Sequence, residues 1–583
     1  MLERIFPALT WARGYSRDML GGDLIAAMVV TIMLIPQGMA YAMLAGLPPE
    51  AGLYGAIVPL LIYAALGTSR TLAVGPVAVV ALMTAAAAGT VAAAGTPGFH
   101  VAALAIAMMS GAIMLALGLL RLGFLANFLS HPVISGFITA AGILIAASQL
   151  RHMLGNATSG KTLQELVPSF LANLGQINRI TLALSLVVVA FLFWARTGLA
   201  PLLRRFGLNP KLALLLSRTA LLVAVVVSTA SVWAFGLDAR GVRIVGEIPR
   251  GLPQFGWPAL SFDLAQALLI PALMIAVVGY VESLSIGQTL AAKRRESLDP
   301  NRELIALGAA NLGAGLSQAM PVTGGLSRSI VNFDAGAQTP AAGAFTALMI
   351  GAALMFLTPA LYYLPNATLA AIIIVAVMSL LDFRALPRVW AISKADGAAM
   401  AATMLATLFI GVEQGLLAGV GLSLALHLYR TSRPHIAIVG QVPGTEHFRN
   451  VARHRVVTDP AVLSLRVDES LYFPNARLLS DRILAEVAGN RALTHVVLLC
   501  PAVNSVDASA LESLEAVNLR LRDAGVTFHL AEVKGPVMDS LKRSHFLEDL
   551  SGQVFLTQYD AMQTLSPVLT RDTRAAPRCE TAL

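Results

Sequence analysis

Charge is the first scarcity: Asp, Glu, Lys and Arg make up 13% of the 583 residues, while 56% are apolar. Soluble domains carry roughly 25% charged residues, so a wholly water-soluble body is excluded and a membrane-embedded one implied. Cysteine is scarcer still. Cys500 and Cys579 are the only two, with no CxxC pair and no histidine at ligand spacing, so neither a disulfide framework nor a metal site is supported. The motifs GxxxxGKS/T, HExxH and GxSxG are missing and the histidines are scattered. Their absence removes the signatures of an ATP-driven pump and of common hydrolases, so the reading is not an enzyme and no cofactor is implied. The formal charge of +8 comes from Lys and Arg in short connections rather than one patch. Membrane topology accounts for it, and a nucleic-acid partner is not called for.

What is present is a series of apolar runs over the first 430 or so residues. They fall near 23–43, 51–67, 75–94, 100–120, 127–148, 180–196 and 212–235, then 262–286, 303–319, 325–333, 341–363, 366–381, 396–412 and 415–430. The count predicts fourteen spans in two sets of seven. Arg4, Arg13 and Arg17 precede the first run, which lacks a small-residue cleavage site and reads as a span rather than a signal peptide. With that end inside, Arg70, Arg121, the run from Arg196 to Arg218, Lys293 to Arg302, Arg384 to Lys394, Arg430 and Arg433 fall on cytoplasmic connections. External connections hold only Arg151, Lys161, Arg179, Arg240, Arg243 and Arg250. Positive loops stay inside, so the asymmetry supports this orientation.

Two segments, Ala73-Val-Gly-Pro-Val-Ala-Val-Val80 and Val322-Thr-Gly-Gly-Leu-Ser-Arg-Ser-Ile330, stand third in their sets of seven, and both are broken by glycine or proline. Matched interruptions in two halves point to an inverted-repeat transporter with its site at mid-membrane. The alternative is that glycine and proline merely allow close helix packing.

From Asp459 onward strand-like and helix-like runs alternate: 461–467, 475–487, 494–500, 509–524, 526–532 and 536–544. The pattern predicts a small cytoplasmic α/β domain over 459–570, with 433–458 as linker and 571–583 disordered. Leu511, Leu514, Val517 and Leu521 recur at helical spacing and define a face against the sheet. Ser509 reads either as a phosphorylation site or, with Glu512, as a capping box opening that helix.

Charges inside spans need a partner or a purpose. Arg328, after Gly324 and Gly325 and between Ser327 and Ser329, falls near a helix N-terminus, which carries roughly +0.5 of a charge and unpaired N–H groups. If the other broken segment opens at Gly75-Pro76, two half-helices point their positive ends at one place and form an anion cradle without a metal. The alternative is a structural arginine bonded to carbonyls or to Glu282. Glu282 itself, a carboxylate held out of water, is a natural proton carrier or else that salt-bridge partner. Gln37 and Tyr41, one turn apart, offer an amide and a phenol to a polar cavity. Glu413 and Gln414 fall at an external turn and read as a solvated loop.

These residues resemble the sulfate permease (SulP) family of anion transporters, whose animal relatives include pendrin and prestin. The most specific stretch is Ile35-Pro-Gln-Gly-Met-Ala-Tyr-Ala-Met-Leu-Ala-Gly-Leu-Pro-Pro-Glu-Ala-Gly-Leu-Tyr54. Gly67-Thr-Ser-Arg70, Gly75-Pro-Val-Ala78, Asn301-Arg-Glu-Leu304, Leu326-Ser-Arg-Ser329 and Gly415-Leu-Leu-Ala-Gly419 are also similar. The C-terminal part resembles the domain shared by sulfate transporters and anti-sigma-factor antagonists (STAS).

The resemblance implies an α-helical polytopic membrane protein with a seven-plus-seven inverted repeat over 1–432 and a cytoplasmic STAS domain. Spans 1–4 and 8–11 would form a mobile core and 5–7 and 12–14 a gate, in a homodimer working by an elevator-like cycle. It maps an anion site onto Gln37, Tyr41, Val77, Ala78, Leu326, Ser327 and Arg328, with Val77 standing where some relatives have an aromatic residue. Glu282 resembles the acidic residue of proton-coupled members. The expected function is sulfate uptake with protons across a bacterial-type inner membrane, by a multi-pass protein with both ends cytoplasmic. Alternatives are bicarbonate or dicarboxylate uptake, chloride-linked exchange, or a membrane scaffold recruiting a cytoplasmic partner through the tail.

Overall fold

Lipid offers no hydrogen bonds, so an apolar run that enters it must pair its own backbone, and helices result. In a computed structural model, which describes residues 7–577 apart from 129, 211, 212, 214, 215 and 218, six helices are long and apolar enough to cross a bilayer. They are Arg17–Leu44, Pro49–Leu66, Pro97–Leu119, His131–Leu154, Arg179–Arg205 and Phe262–Arg294. Shorter apolar helices cover Ala78–Val91, Ala220–Phe235, Ala341–Phe356 and Asn366–Met378. Pro300–Leu316, Leu326–Asp334, Lys394–Phe409 and Val412–Ser432 are helical as well. Every run read from the sequence overlaps one of these; residue 129 of the run 127–148 and residues 212, 214, 215 and 218 of the run 212–235 lie outside the described residues.

Several runs are interrupted where their chemistry demands it. The second breaks at residues 55–57 between Pro49–Tyr54 and Val58–Leu66. The run 341–363 ends at Phe356 and continues as a 3-10 turn, Thr358–Leu361, around Pro359. Two short helices, Leu163–Ala172 and Ala385–Ile392, occupy stretches read as connections.

The chain divides into two compact units, Met1–Ser423 and Leu424–Leu583. In the first, packing relies on missing side chains. A Cβ on Gly111 would lie 2.6 Å from the Leu312 nitrogen, and one on Gly308 2.6 Å from the Leu115 nitrogen. Pro97–Leu119 and Pro300–Leu316 therefore meet backbone to backbone, the close approach that small residues allow between membrane helices.

The second unit holds a six-stranded sheet in the order Phe448–Asn450, Ile436–Gln441, Val462–Val467, His495–Leu499, Thr527–Ala531, Val554–Phe555. The first two pairings are antiparallel and the remaining three parallel. On the helix Ala508–Asp523, Leu514, Val517 and Leu521 are buried and Leu511 is half-buried, as the spacing predicts.

Three expectations for this unit are corrected. Residues 433–458 are not a linker, because they supply two strands of the sheet. Disorder does not begin at 571, since Pro567–Ala575 is a helix with proline in its first turn; residues 578–583, including Cys579, lie outside the described residues. The helix at 508 is capped by Asp507, whose side chain accepts from the Ala510 nitrogen, so Ser509 is an exposed first-turn residue and not the cap.

Candidate functional site

The two broken segments meet. Val74 pairs with Gly324 and Gly75 with Thr323 in a two-residue antiparallel ladder. Because the strands run oppositely, the helices that follow, Ala78–Val91 and Leu326–Asp334, leave the crossing in opposite directions with both N-termini beside it.

Side chains from the crossing itself, from the half-helix Leu326–Asp334 and from two neighbouring helices fix the arrangement. The Ser329 hydroxyl accepts from the Ala73 nitrogen at 2.9 Å, and Asn332 donates to the Thr71 carbonyl at 3.0 Å. Asn311 bonds both polar backbone groups of Val322, donating to its carbonyl at 2.9 Å and accepting from its nitrogen at 2.8 Å. Ser283 accepts from the Gly324 nitrogen at 2.8 Å, and the Thr323 hydroxyl donates to the Gly279 carbonyl at 2.5 Å.

Neither half-helix has a side-chain cap: the N-cap residues are Val77 and Gly325. The first-turn N–H groups are left without intrahelical partners, and they open on a cavity of about 580 Å³. Gln37, Tyr41, Val77, Ala78, Glu282, Leu326, Ser327 and Arg328 all line it. The structure thus brings together every site residue named from the sequence.

Arg328 is the third residue of its helix and only 2% exposed. Its Nη1 donates to the Pro76 carbonyl at 2.7 Å, across the crossing, while Nε and Nη2 are buried without a hydrogen bond. Glu282 lines the same cavity with Oε2 buried and unbonded. No ion pair joins the two, so the salt bridge weighed as an alternative is not formed. One Arg328 bond goes to a carbonyl, as the structural reading expected, but the rest of the guanidinium stays uncommitted.

The opposite wall is apolar: Leu192, Ala195, Ala220, Leu221, Ile372, Val375, Ala376 and Leu380, with Arg196, Ser217 and Ser379 among them. Arg196 was missed because it opens a basic run that reads as a cytoplasmic connection. A second cavity, of about 830 Å³, is lined by Arg151, Lys161, Glu165 and Glu413. Glu413 is not in a solvated loop; it lies in the first turn of Val412–Ser432, half-buried, with Oε1 unbonded.

A helical membrane unit in which two half-helices meet N-terminus to N-terminus has the architecture of the inverted-repeat transporters. Comparison with known proteins makes this specific. Residues 20–403 match the Sulfate permease family and residues 454–561 the STAS domain. The chain belongs to the sulfate permease family.

It is 36% identical to Sulfate transporter 4.1, chloroplastic, of Arabidopsis thaliana, over 96% of this chain and 82% of that one. It is 33% identical to Probable sulfate transporter MT1781 of Mycobacterium tuberculosis, over 96% of this chain and 97% of that one. Among solved structures, the murine Solute Carrier 26 family member A9 anion transporter in the inward-facing state superposes with a TM-score of 0.86 at 25% identity, covering 97% of this chain and 94% of that one. The transmembrane domain of a cyanobacterium bicarbonate transporter shares the fold, with a TM-score of 0.59 at 23% identity over 70% of this chain and 99% of that one.

Proposed function

We propose that the protein is a secondary active transporter that takes up an inorganic oxyanion, sulfate, together with protons. The observation that carries this is Arg328: a buried guanidinium with two uncommitted nitrogens, set among free N–H groups of two helix N-termini. A cation so placed, with no carboxylate hydrogen-bonded to it, is costly in a membrane unless an anion occupies the site. Gln37, Tyr41 and Ser327 add neutral donors on the same side.

An anion entering a negative-inside cell is opposed by about 2.3 kcal/mol per charge per 100 mV, so uptake needs a driving ion. Glu282, beside Arg328 but not paired with it, supplies the proton site. Deprotonated, it offsets the Arg328 charge; protonated, it leaves a net positive site and compensates one charge of a divalent anion. The names of the relatives, sulfate transporters in plants and a mycobacterium, support the substrate.

The two walls of the cavity support an elevator-like cycle. The polar groups stand on the half-helices and their neighbours, and the facing wall is largely apolar, a surface along which the core slides with its bound ion. Arg196, Ser217 and Ser379 lie at or near connections expected to be cytoplasmic, so the cavity opens inward, in keeping with the state named for the murine neighbour. In this reading spans 1–4 and 8–11 are the core, 5–7 and 12–14 the gate, and two copies form the working dimer in an inner membrane with both ends cytoplasmic. The STAS domain regulates or assembles, through a cytoplasmic partner.

Glu282→Gln keeps the shape and charge of the protonated carboxyl. In sealed vesicles this variant should exchange internal for external labelled sulfate but fail to accumulate it when an inward proton gradient is imposed. Accumulation equal to the parent's would remove Glu282 from coupling.

A further inference from the structure

The facing wall of the cavity carries a feature that the anion cradle does not use. Arg179–Trp194 runs into a π-helical turn, Ala195–Leu199, followed by Pro201 in the next helix. Proline lacks an N–H and crowds the carbonyl four residues back, which favours the wider winding; π-turns recur at functional sites for the reorientation they give a side chain. Here the turn presents Arg196 to the cavity. Its Nη1 donates to the Val375 carbonyl at 3.3 Å, in the last turn of Asn366–Met378, which anchors the side chain to the apolar wall.

No acidic side chain pairs with it among the described residues. Arg196, Glu282 and Arg328 are the charged groups lining the cavity among the described residues, and Arg196 alone stands on the wall facing the half-helices. Arg328 is buried, whereas Arg196, lining the same cavity, is exposed.

We propose that Arg196 is a second anion-contact residue, a peripheral guanidinium that collects a sulfate-like oxyanion at the cavity mouth and passes it to Arg328. The proposal rests on the reading of the cavity as an anion site. A guanidinium suits the task because its fork of donors matches oxyanion geometry and its charge is permanent. An exposed charge draws counter-ions by long-range attraction, which salt screens within about 8–10 Å at ordinary ionic strength. Arg196 therefore sets how readily the anion arrives, and Arg328 how firmly it is held.

The test is the initial rate of labelled sulfate exchange in inside-out vesicles of the full-length protein, with ionic strength varied by an impermeant salt. Arg196→Gln keeps a neutral polar side chain on the π-turn but loses the charge. It should raise KM at low ionic strength by about 3- to 10-fold with Vmax unchanged, and it should flatten the parent's rise of KM with salt. Arg196→Lys should restore both. A KM and salt slope equal to the parent's would overturn the proposal, as would a fall in Vmax at unchanged KM, which would make Arg196 a hinge of the π-turn.

Ser379→Lys adds a cation to the same wall and serves if the Gln variant fails to fold. It should lower KM at low ionic strength, and an unchanged value overturns the proposal. Absence of sulfate exchange in the unaltered chain would sink the transport reading and this proposal together, whereas a normal parent with an unaffected Arg196→Gln sinks this one alone.

Discussion

Two regions of the membrane unit bury charge in opposite ways. Asp23, fully buried, accepts from the Gln338 nitrogen at 2.6 Å, the Thr339 nitrogen at 3.0 Å, the Thr339 hydroxyl at 2.5 Å and the Tyr15 hydroxyl at 3.0 Å. Glu303, 1% exposed, accepts from the Tyr63 hydroxyl at 2.7 Å, the Thr68 nitrogen at 2.9 Å, the Ser69 nitrogen at 3.1 Å and the Thr68 hydroxyl. Each ties a helix of one half of the unit to a connection of the other. At the cavity, Arg328 and Glu282 keep buried atoms unbonded. A buried charge whose bonds are all spent on the fold is a lock, while one left partly unspent is available to a ligand or a proton.

The contrast breaks most severely at the locks. Glu303→Gln turns an amide NH2 toward donors that need an acceptor, and each donor left unpaired costs about 1–3 kcal/mol. The variant should express as little folded protein, with a lowered melting temperature and no change of anion preference in what remains. Normal yield with altered preference would place Glu303 in the site instead.

A subtler change sharpens the comparison. Gly325 has φ −98° and ψ 123°, which alanine tolerates, but a Cβ there would lie 2.7 Å from Arg328 Nη2 and 2.8 Å from Cζ. Gly325→Ala should displace the guanidinium and weaken sulfate binding by about tenfold, or ~1.4 kcal/mol, in a protein of near-normal stability. Val77→Ala at the matching cap of the other half-helix should change affinity by less than about twofold, or well under 1 kcal/mol. Equal effects at the two caps, read by calorimetric titration, would deny the asymmetry.

The smallest effect belongs to the C-terminal unit, where a buried titratable group again serves the fold. His529 accepts from the Gln553 nitrogen at 3.2 Å and sits 3.3 Å from His495, nitrogen to nitrogen. Burial, and then the neighbouring His495, push its pKa down from 6.5 to about 4. Its folded form resists protonation, so the stability it lends is present above pH 6.5 and lost as pH falls from there through about 4. Hydrogen exchange at Thr527–Ala531 in the full-length protein should quicken modestly across that window, and His529→Gln should flatten the dependence.

Much of this was legible in the chain. Hydropathy located the helices because lipid imposes length and apolarity, and the glycine and proline breaks located the crossing because only interrupted helices leave free N–H groups at depth. Gln37, Tyr41, Val77, Ala78, Glu282, Leu326, Ser327 and Arg328 were named and converge on one cavity. Arg196 escaped because charge beside a span end looks like topology signal until the π-turn shows where it faces. Glu413 escaped for a similar reason, since a turn residue gives no sign that its carboxylate folds inward. Helix Leu163–Ala172 carries Pro168, a residue that argues against a helix when read locally. The strands Ile436–Gln441 and Phe448–Asn450 draw their stability from pairing with Val462–Val467 and with each other, which no local pattern records.

The central claim is that the uncommitted Arg328 guanidinium holds the anion. Equilibrium titration of sulfate against the purified full-length protein in lipid nanodiscs, parent beside Arg328→Ala, tests it most directly. The account predicts saturable binding by the parent and its loss in a variant with unaltered helical content and melting behaviour, because half-helix termini alone supply only partial charges. Retained affinity in a folded Arg328→Ala would contradict it.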